Sequence, residues 1–265
     1  MKSATDENRY SAPALDKGLD ILELLAGRPE GLTLKQIGDA LGRTPTEIFR
    51  MLNHLLQRTY IRRHEPGGVY RLSLKLFELA HRFPPTARLL EVAVPAMRQL
   101  ADRTEQSCHL SVLHANGILV VAQTTSPSNW HFSVRMGATF SLTGTASGRV
   151  LLAYLSTEEL EERLRVAAEA ATPFRATRVF RAQLAALRKR GYEQVSHETF
   201  QGVTDVSVPV IGHANEILAA LTIPVLLSQR QRAPINFVRE QLLETADNIS
   251  SQLGGQPTTV TVAKK

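Results

Sequence analysis

Three stretches carry side chains whose type and spacing admit chemistry. Gly144-Thr145-Ala146-Ser147-Gly148 superficially resembles the elbow that presents a serine nucleophile. Its first glycine, however, lies three residues before Ser147 rather than two, so that motif fails. A helix starting near Ser147 still offers free backbone donors and the positive end of its dipole, which suits an anion. Cys108 beside His109 is the second stretch, and its apolar, strand-like surroundings point to a buried, inert thiol. The third is a run of arginines, Arg43, Arg50, Arg58, Arg62, Arg63 and Arg71, opposed between its ends only by Glu47 and Glu65. Such a local excess of positive charge suits phosphate.

Metal and cofactor chemistry find little here. The eight histidines are scattered, with no pair at ligand spacing on one helix. His109, His114 and His131 are neighbours in sequence, but strand histidines more often satisfy a core hydrogen bond. Neither a phosphate-binding P-loop nor a dinucleotide fingerprint occurs. No cofactor and no metal are expected, and the chain reads as a non-enzyme. The rival reading is a small-molecule hydrolase or acyl-transfer enzyme with an N-terminal assembly domain, in which turnover depends on Ser147 or Cys108.

The arginines sit on recognisable elements. Thr33 followed by Gln36 is a capping box, so a helix starts at about Leu34, carries Leu34, Ile37 and Leu41 on one face and stops at Gly42. Thr44, Pro45 and Glu47 open the next helix, with a second capping box and proline at its first position. Its apolar face is Ile48, Leu52, Leu55 and Leu56, leaving Thr46, Glu47, Arg50, Asn53, His54 and Gln57 to reach outward. Tyr60 to His64 and Val69 to Leu72 read as strands joined by Glu65-Pro66-Gly67-Gly68, a basic hairpin. Helix, helix and hairpin in that order form a winged helix-turn-helix. A helix with a polar outer face fits the DNA major groove, and Arg62, Arg63 and Arg71 are placed to hold backbone phosphates. The expected DNA-binding set is Arg43, Thr44, Thr46, Glu47, Arg50, Asn53, His54, Arg62, Arg63 and Arg71.

Around that core, residues 1–13 read as a mobile polar arm. Leu15 to Leu25 reads as a first helix with Leu15, Leu19, Leu22 and Leu25 on one face. Leu74 to Ala80 is helical as far as Phe83-Pro84-Pro85, where two prolines break the helix, and Leu89 to Ala101 resumes it. Strands are expected at Cys108–Leu113 and Ile118–Ala122 about an Asn116-Gly117 turn, at Trp130–Arg135, at Asp205–Ile211 and at Ile217–Ile223. Helices are expected at Arg149–Tyr154, after the Ser156/Glu159 capping box, at Arg178–Arg190 and at Ile235 to about Leu253. The fold class is α+β: an antiparallel sheet with helices packed against it follows the winged domain. Between the strand expected at Trp130–Arg135 and the helix at Arg149–Tyr154, Gly137 to Gly148 is a loop of small and hydroxyl residues that leaves room for a ligand. Trp130, Phe132 and Phe140 serve equally as walls of such a site or as core.

With 265 residues, 43% hydrophobic and 21% charged, the chain has material for more than one core. A net charge of +6 suits an anionic partner such as DNA. One cysteine excludes an intramolecular disulfide framework and a thiolate zinc site. No apolar run approaches the length of a spanning helix, and the polar start lacks a signal-peptide core, so a cytoplasmic location and no membrane partner are expected.

From Ala14 to about Leu253 the order of motifs resembles the IclR family of bacterial transcription regulators. Gly42 to Leu52 looks like its recognition helix, Gly137 to Ala153 like the loop and helix of its effector domain, and Gly202 to Val210 like its pocket strand. The resemblance implies a winged-helix domain over 14–73, a linker helix over 74–88, a GAF-like effector-binding domain over 89–254 and a flexible tail over 255–265. It further implies a homodimer or dimer of dimers that binds a palindromic double-stranded operator, more commonly as a repressor. The implied effector is a small metabolite, commonly an organic or aromatic acid. Thr143, Gly144, Thr145, Ala146, Asp205, Thr222, Trp130 and Phe140 are its expected contacts. Family members often carry cysteine where this chain has Asp205, an acidic residue where it has Val195, and hydroxyl residues where it has Thr222 and Pro224. A carboxylate at Asp205 repels an acid ligand unless it is protonated or offset by an arginine. A sensor domain without ligand is a further alternative.

Overall fold

A computed structural model of the chain describes residues 12–81, 84–129, 131–170, 173–196, 198, 200–226 and 234–256. The arm's Lys2 and Arg9, Phe83 of the proline break, Trp130 and most of the tail lie outside them. The chain divides into two compact units at Pro84/Pro85.

The N-terminal unit contains α1 (Pro13–Ala26), β1 (Leu32–Thr33), α2 (Leu34–Leu41), α3 (Pro45–Gln57), β2 (Ile61–His64), β3 (Val69–Leu72) and α4 (Lys75–His81). Both capping boxes form as read: Thr33 and Thr44 accept from the backbone N–H of Gln36 and Glu47, whose side chains return to the caps. Gly42, at φ 61°, ends α2 in the left-handed conformation. The wing hairpin pairs Ile61 with Leu72 and His64 with Val69, while β1 adds a third strand beside β3 that the sequence did not announce. Ile21, Leu25, Ile37, Ile48, Leu52, Ile61 and Tyr70 form the core. α1 buries Leu25 and packs Leu22 against the core as expected, with Ile21 beside them, whereas Leu15 and Leu19 are 60% and 46% exposed.

The C-terminal unit holds α5 (Pro84–Thr104), β4 (Cys108–His114), β5 (Gly117–Thr124), β6 (Thr139–Ser141), α6 (Ala146–Tyr154), α7 (Thr157–Glu169), α8 (Arg178–Arg190), β7 (Glu193–Ser196), β8 (Val203–Ile211), β9 (Ile217–Leu226) and α9 (Ile235–Gln252). The helix expected to resume at Leu89 begins at Pro84, because prolines are tolerated in a first turn whose N–H groups have no helical partner. Residues 131–135 form no strand, and the strand beside β5 is β6 instead, pairing Phe140 with Ile118.

The sheet order is β6-β5-β4-β9-β8-β7, antiparallel throughout. Strand pleating assigns the faces. Val206, Val208 and Val210, with Leu221, Ile223 and Val225, face α5 and α9 in one core. Ala220 and Ile118 join the core that α6 and α8 build on the other side, with Leu164 of α7. Asp205, Ser207 and Thr222 alternate with the first set and therefore share the α6 side of the sheet. Among the described residues no helix is long and apolar enough to cross a membrane.

Candidate nucleic-acid interface and pocket

Burial of Ile48 and Leu52 turns the opposite side of α3 to solvent. Thr46, Glu47, Arg50 and His54 are exposed there and Asn53 is half-buried. Several of the ten residues expected at DNA have fixed partners. Thr44 is the cap itself, and the Glu47 carboxylate accepts from its N–H at 3.1 Å and its hydroxyl at 2.9 Å. Those bonds, with Lys17 at 3.2 Å, hold the Glu47 carboxyl down to about 2. Arg43 pairs with Asp20 at 3.1 Å, Arg71 donates to the Glu30 carbonyl at 2.9 Å, and Arg63 pairs with Glu65 at 3.2 Å. No hydrogen bond or ion pair among the described residues holds the side chains of Arg50, Asn53, His54 or Arg62. These four, with the exposed Thr46 hydroxyl, are the donors of the expected set that no described residue holds. Beside Arg50, Phe49 is 49% exposed. Sequence reasoning passed over it, although its place next to Ile48 puts it off the buried stripe.

The C-terminal unit encloses a cavity of about 350 Å³ on the α6 side of its sheet. Thr145, Ala146, Asp205, Thr222 and Phe140, all expected at a ligand, line it together with His109, Ile118, Phe132, Arg135, Ser147, Phe200 and Val203. Thr143 and Gly144 do not: the Thr143 carbonyl accepts from Arg149 at 3.5 Å, and the Gly144 N–H donates to Ser141 Oγ at 3.1 Å. Trp130 lies outside the described residues. Phe132 and Phe200 meet edge to face with centroids 5.1 Å apart, forming one wall.

Local chemistry explains the cavity floor. The Thr145 side chain accepts from the Gly148 N–H at 3.1 Å and so starts α6. Gly148 is required because a Cβ there would meet the Leu142 carbonyl oxygen at 2.1 Å. Ser147, Thr222 and Ser207 form a buried hydroxyl chain, 2.9 Å and 2.7 Å long at its two links. His109 is registered opposite Thr222. Its Nδ1 is buried without a partner, and burial depresses the imidazole to about 4, leaving it neutral at neutral pH.

Asp205 is pushed up to about 6, first by burial and then by the Glu198 carboxylate, with Arg149 opposing. Arg149 is itself buried and holds Glu198 through two bonds of 2.8 Å, with Glu193 at 3.7 Å. Ser147 has only Thr222 as its hydroxyl partner among the described residues. Cys108 faces the Met97 carbonyl at 3.5 Å, away from the cavity, and burial raises its thiol to about 12. Among the described residues no cluster suits a metal ion.

Residues 14–65 match the IclR helix-turn-helix domain, and residues 85–251 match the C-terminal domain of the bacterial transcriptional regulator IclR. The chain is 28% identical to the HTH-type transcriptional regulator XynR of Escherichia coli over 91% of its own length and 97% of that protein's. It is 26% identical to KdgR of Dickeya chrysanthemi, covering 94% of this chain and 82% of the relative. Among solved structures, an IclR homologue from Microbacterium hydrocarbonoxydans complexed with 4-hydroxybenzoate superposes with a TM-score of 0.74 at 24% identity, covering 91% of this chain and 98% of that one. Pseudomonas aeruginosa HmgR gives 0.72 at 22%, covering 92% and 100%.

Proposed function

This chain belongs to the IclR family of bacterial transcriptional regulators, and on that premise we propose that it binds a specific operator through α3 and its wing under control of a metabolite held beside α6. The family and the relatives are transcriptional regulators, not enzymes. Their helix-turn-helix domain carries DNA binding, and the C-terminal domain takes a small-molecule effector.

The observation that carries the specific reading is the set of unpaired donors on α3. Arg50, Asn53 and His54, with exposed Thr46, read base edges. Arg62 grips phosphate from the wing, helped by Arg63 and Arg71, whose present partners are exposed and exchangeable. Thr44, Glu47 and Arg43 set the start of the helix and contribute by positioning it. The protein acts in the cytoplasm as a homodimer or dimer of dimers on a palindromic site, more commonly as a repressor. The effector is an organic or aromatic acid or a related compound. In support, the cavity falls within the volume range of small-ligand sites, and a relative of the same fold was solved with 4-hydroxybenzoate.

Fluorescence anisotropy on the DNA upstream of the protein's own gene, against scrambled DNA and across a salt series, tests this reading. Tight binding to the upstream DNA alone is expected. Weak, equal and steeply salt-dependent binding to both would leave only the basic charge explained.

A further inference from the structure

Asp205 lines the cavity on the α6 side of the sheet. Its registered neighbours on the adjoining strands, Val195 and Pro224, offer no polar side chain. No hydrogen bond or ion pair among the described residues holds its carboxylate. Arg149, the cation that acts on it, is committed to Glu198 and Glu193, and Glu198 adds negative charge of its own. Nearby, His109 leaves Nδ1 buried and unpaired, and it is neutral, so it supplies no positive charge. The hydroxyls of Ser147, Thr222 and Ser207 bond to one another and none bonds to Asp205. An unpartnered carboxylate bounded by apolar and aromatic walls costs free energy that an incoming donor recovers, whereas an incoming carboxylate adds a like charge.

We propose that the cavity takes a ring-sized molecule whose polar end is a hydrogen-bond donor, a hydroxyl or a protonated amine, seated on Asp205, and that it rejects a carboxylate at that position. The inference rests on reading the cavity as the effector site, and it narrows the effector class. A ring acid enters only with its carboxylate turned from Asp205 toward Arg135, which is exposed at the cavity's lining. The raised carboxyl of Asp205 agrees with an acidic group awaiting a counter-group, and it is ionised at about pH 7.5.

The test is calorimetric titration of the full chain at about pH 7.5 with benzylamine, benzyl alcohol and benzoate, which share one ring and differ at the polar end. Benzylamine or benzyl alcohol binds at least about tenfold tighter than benzoate, the worth of one charge-assisted hydrogen bond. Asp205→Asn weakens the amine by about tenfold or more, weakens the alcohol less because the amide oxygen still accepts, and improves benzoate. The stronger of the two donor probes tells a cationic from a neutral effector. The proposal falls if benzoate is the tightest ligand of the native protein, if Asp205→Asn shifts all three equally, or if none of the three binds. Anisotropy on upstream DNA with the same preparation separates the failures. Specific DNA binding alongside a benzoate preference removes the ligand class and leaves the regulator, whereas the donor preference without specific DNA binding does the reverse.

Discussion

Replacing Asp205 by asparagine should stabilise the C-terminal unit at neutral pH and not in acid. Its carboxyl rises from 3.8 to about 6 on folding. The shift of about two units, at about 1.4 kcal/mol each, sets an upper limit of about 3 kcal/mol on the cost of its charge. Because the group borders a cavity that solvent enters, about 1 to 2 kcal/mol is the realistic figure. The sign follows from linkage. A carboxyl whose folded-state pKa is raised is held protonated by the fold, so the penalty is absent below 3.8, grows toward 6 and is complete above it. Asparagine keeps the shape and never ionises. Urea unfolding followed by the fluorescence of Trp130, the single tryptophan, reports on this half of the sequence. At about pH 7.5 the variant should exceed the native protein by about 1 to 2 kcal/mol, and most of that gap should vanish by about pH 4. A variant less stable at both pH values, or a gap of constant size, would refute the account of Asp205 as an unpaired, burial-strained acid.

Further outcomes concern the N-terminal unit. Arg50→Ala should lose about 1 to 3 kcal/mol at one base position of a selected operator, whereas Arg62→Ala should weaken all sequences alike and lower the salt slope by about 1, both read by anisotropy. Phe49→Ala should cost about 1 kcal/mol on sites with a thymine under that side chain and nothing once uracil replaces it, since the pair at stake is phenyl against methyl. Thr44→Ala should cost about 1 kcal/mol of stability through loss of the α3 cap, measured by thermal unfolding, with Thr44→Ser restoring it. If Thr44→Ala leaves unfolding unchanged but abolishes DNA binding, the residue acts on phosphate rather than on the helix.

What was legible followed from how local the cause is. The Thr33/Gln36 and Thr44/Glu47 boxes lie within one helical turn, and both form as the spacing says. α8 runs from Arg178 to Arg190 and ends at Gly191, again a local signal. β6 was invisible because Thr139, Phe140 and Ser141 are all exposed on an edge strand and show no alternation. Residues 131–135 have the composition of a strand, yet only a neighbouring strand makes a strand, and β6 has the place beside β5. α1 misled for a similar reason. Leu15 and Leu19 fit a helical stripe, but the contact with α3 and β3 is made nearer its other end, through Ile21 and Leu25. His109 and Phe200 reach the cavity from strands and loops far apart in sequence, so nothing in their own neighbourhoods announced it.

The cavity separates what holds the scaffold from what selects a ligand. Ser147, Thr222 and Ser207 bond among themselves, and through Ser147 they tie α6 to the sheet. Arg149, buried and bridging to Glu198 and Glu193, ties the same helix to the segment that also carries Phe200. Removing Arg149 would leave partly buried carboxylates unpaired, so it belongs with the scaffold as well. Asp205 and the Nδ1 of His109 have no hydrogen-bond partner among the described residues. Exchanging Asp205 for asparagine should lift the like-charge penalty on a carboxylate without touching any bond in the hydroxyl chain. If the cavity is the effector site, its ligand class is set by those two groups and not by the fold, which many different ligands can share.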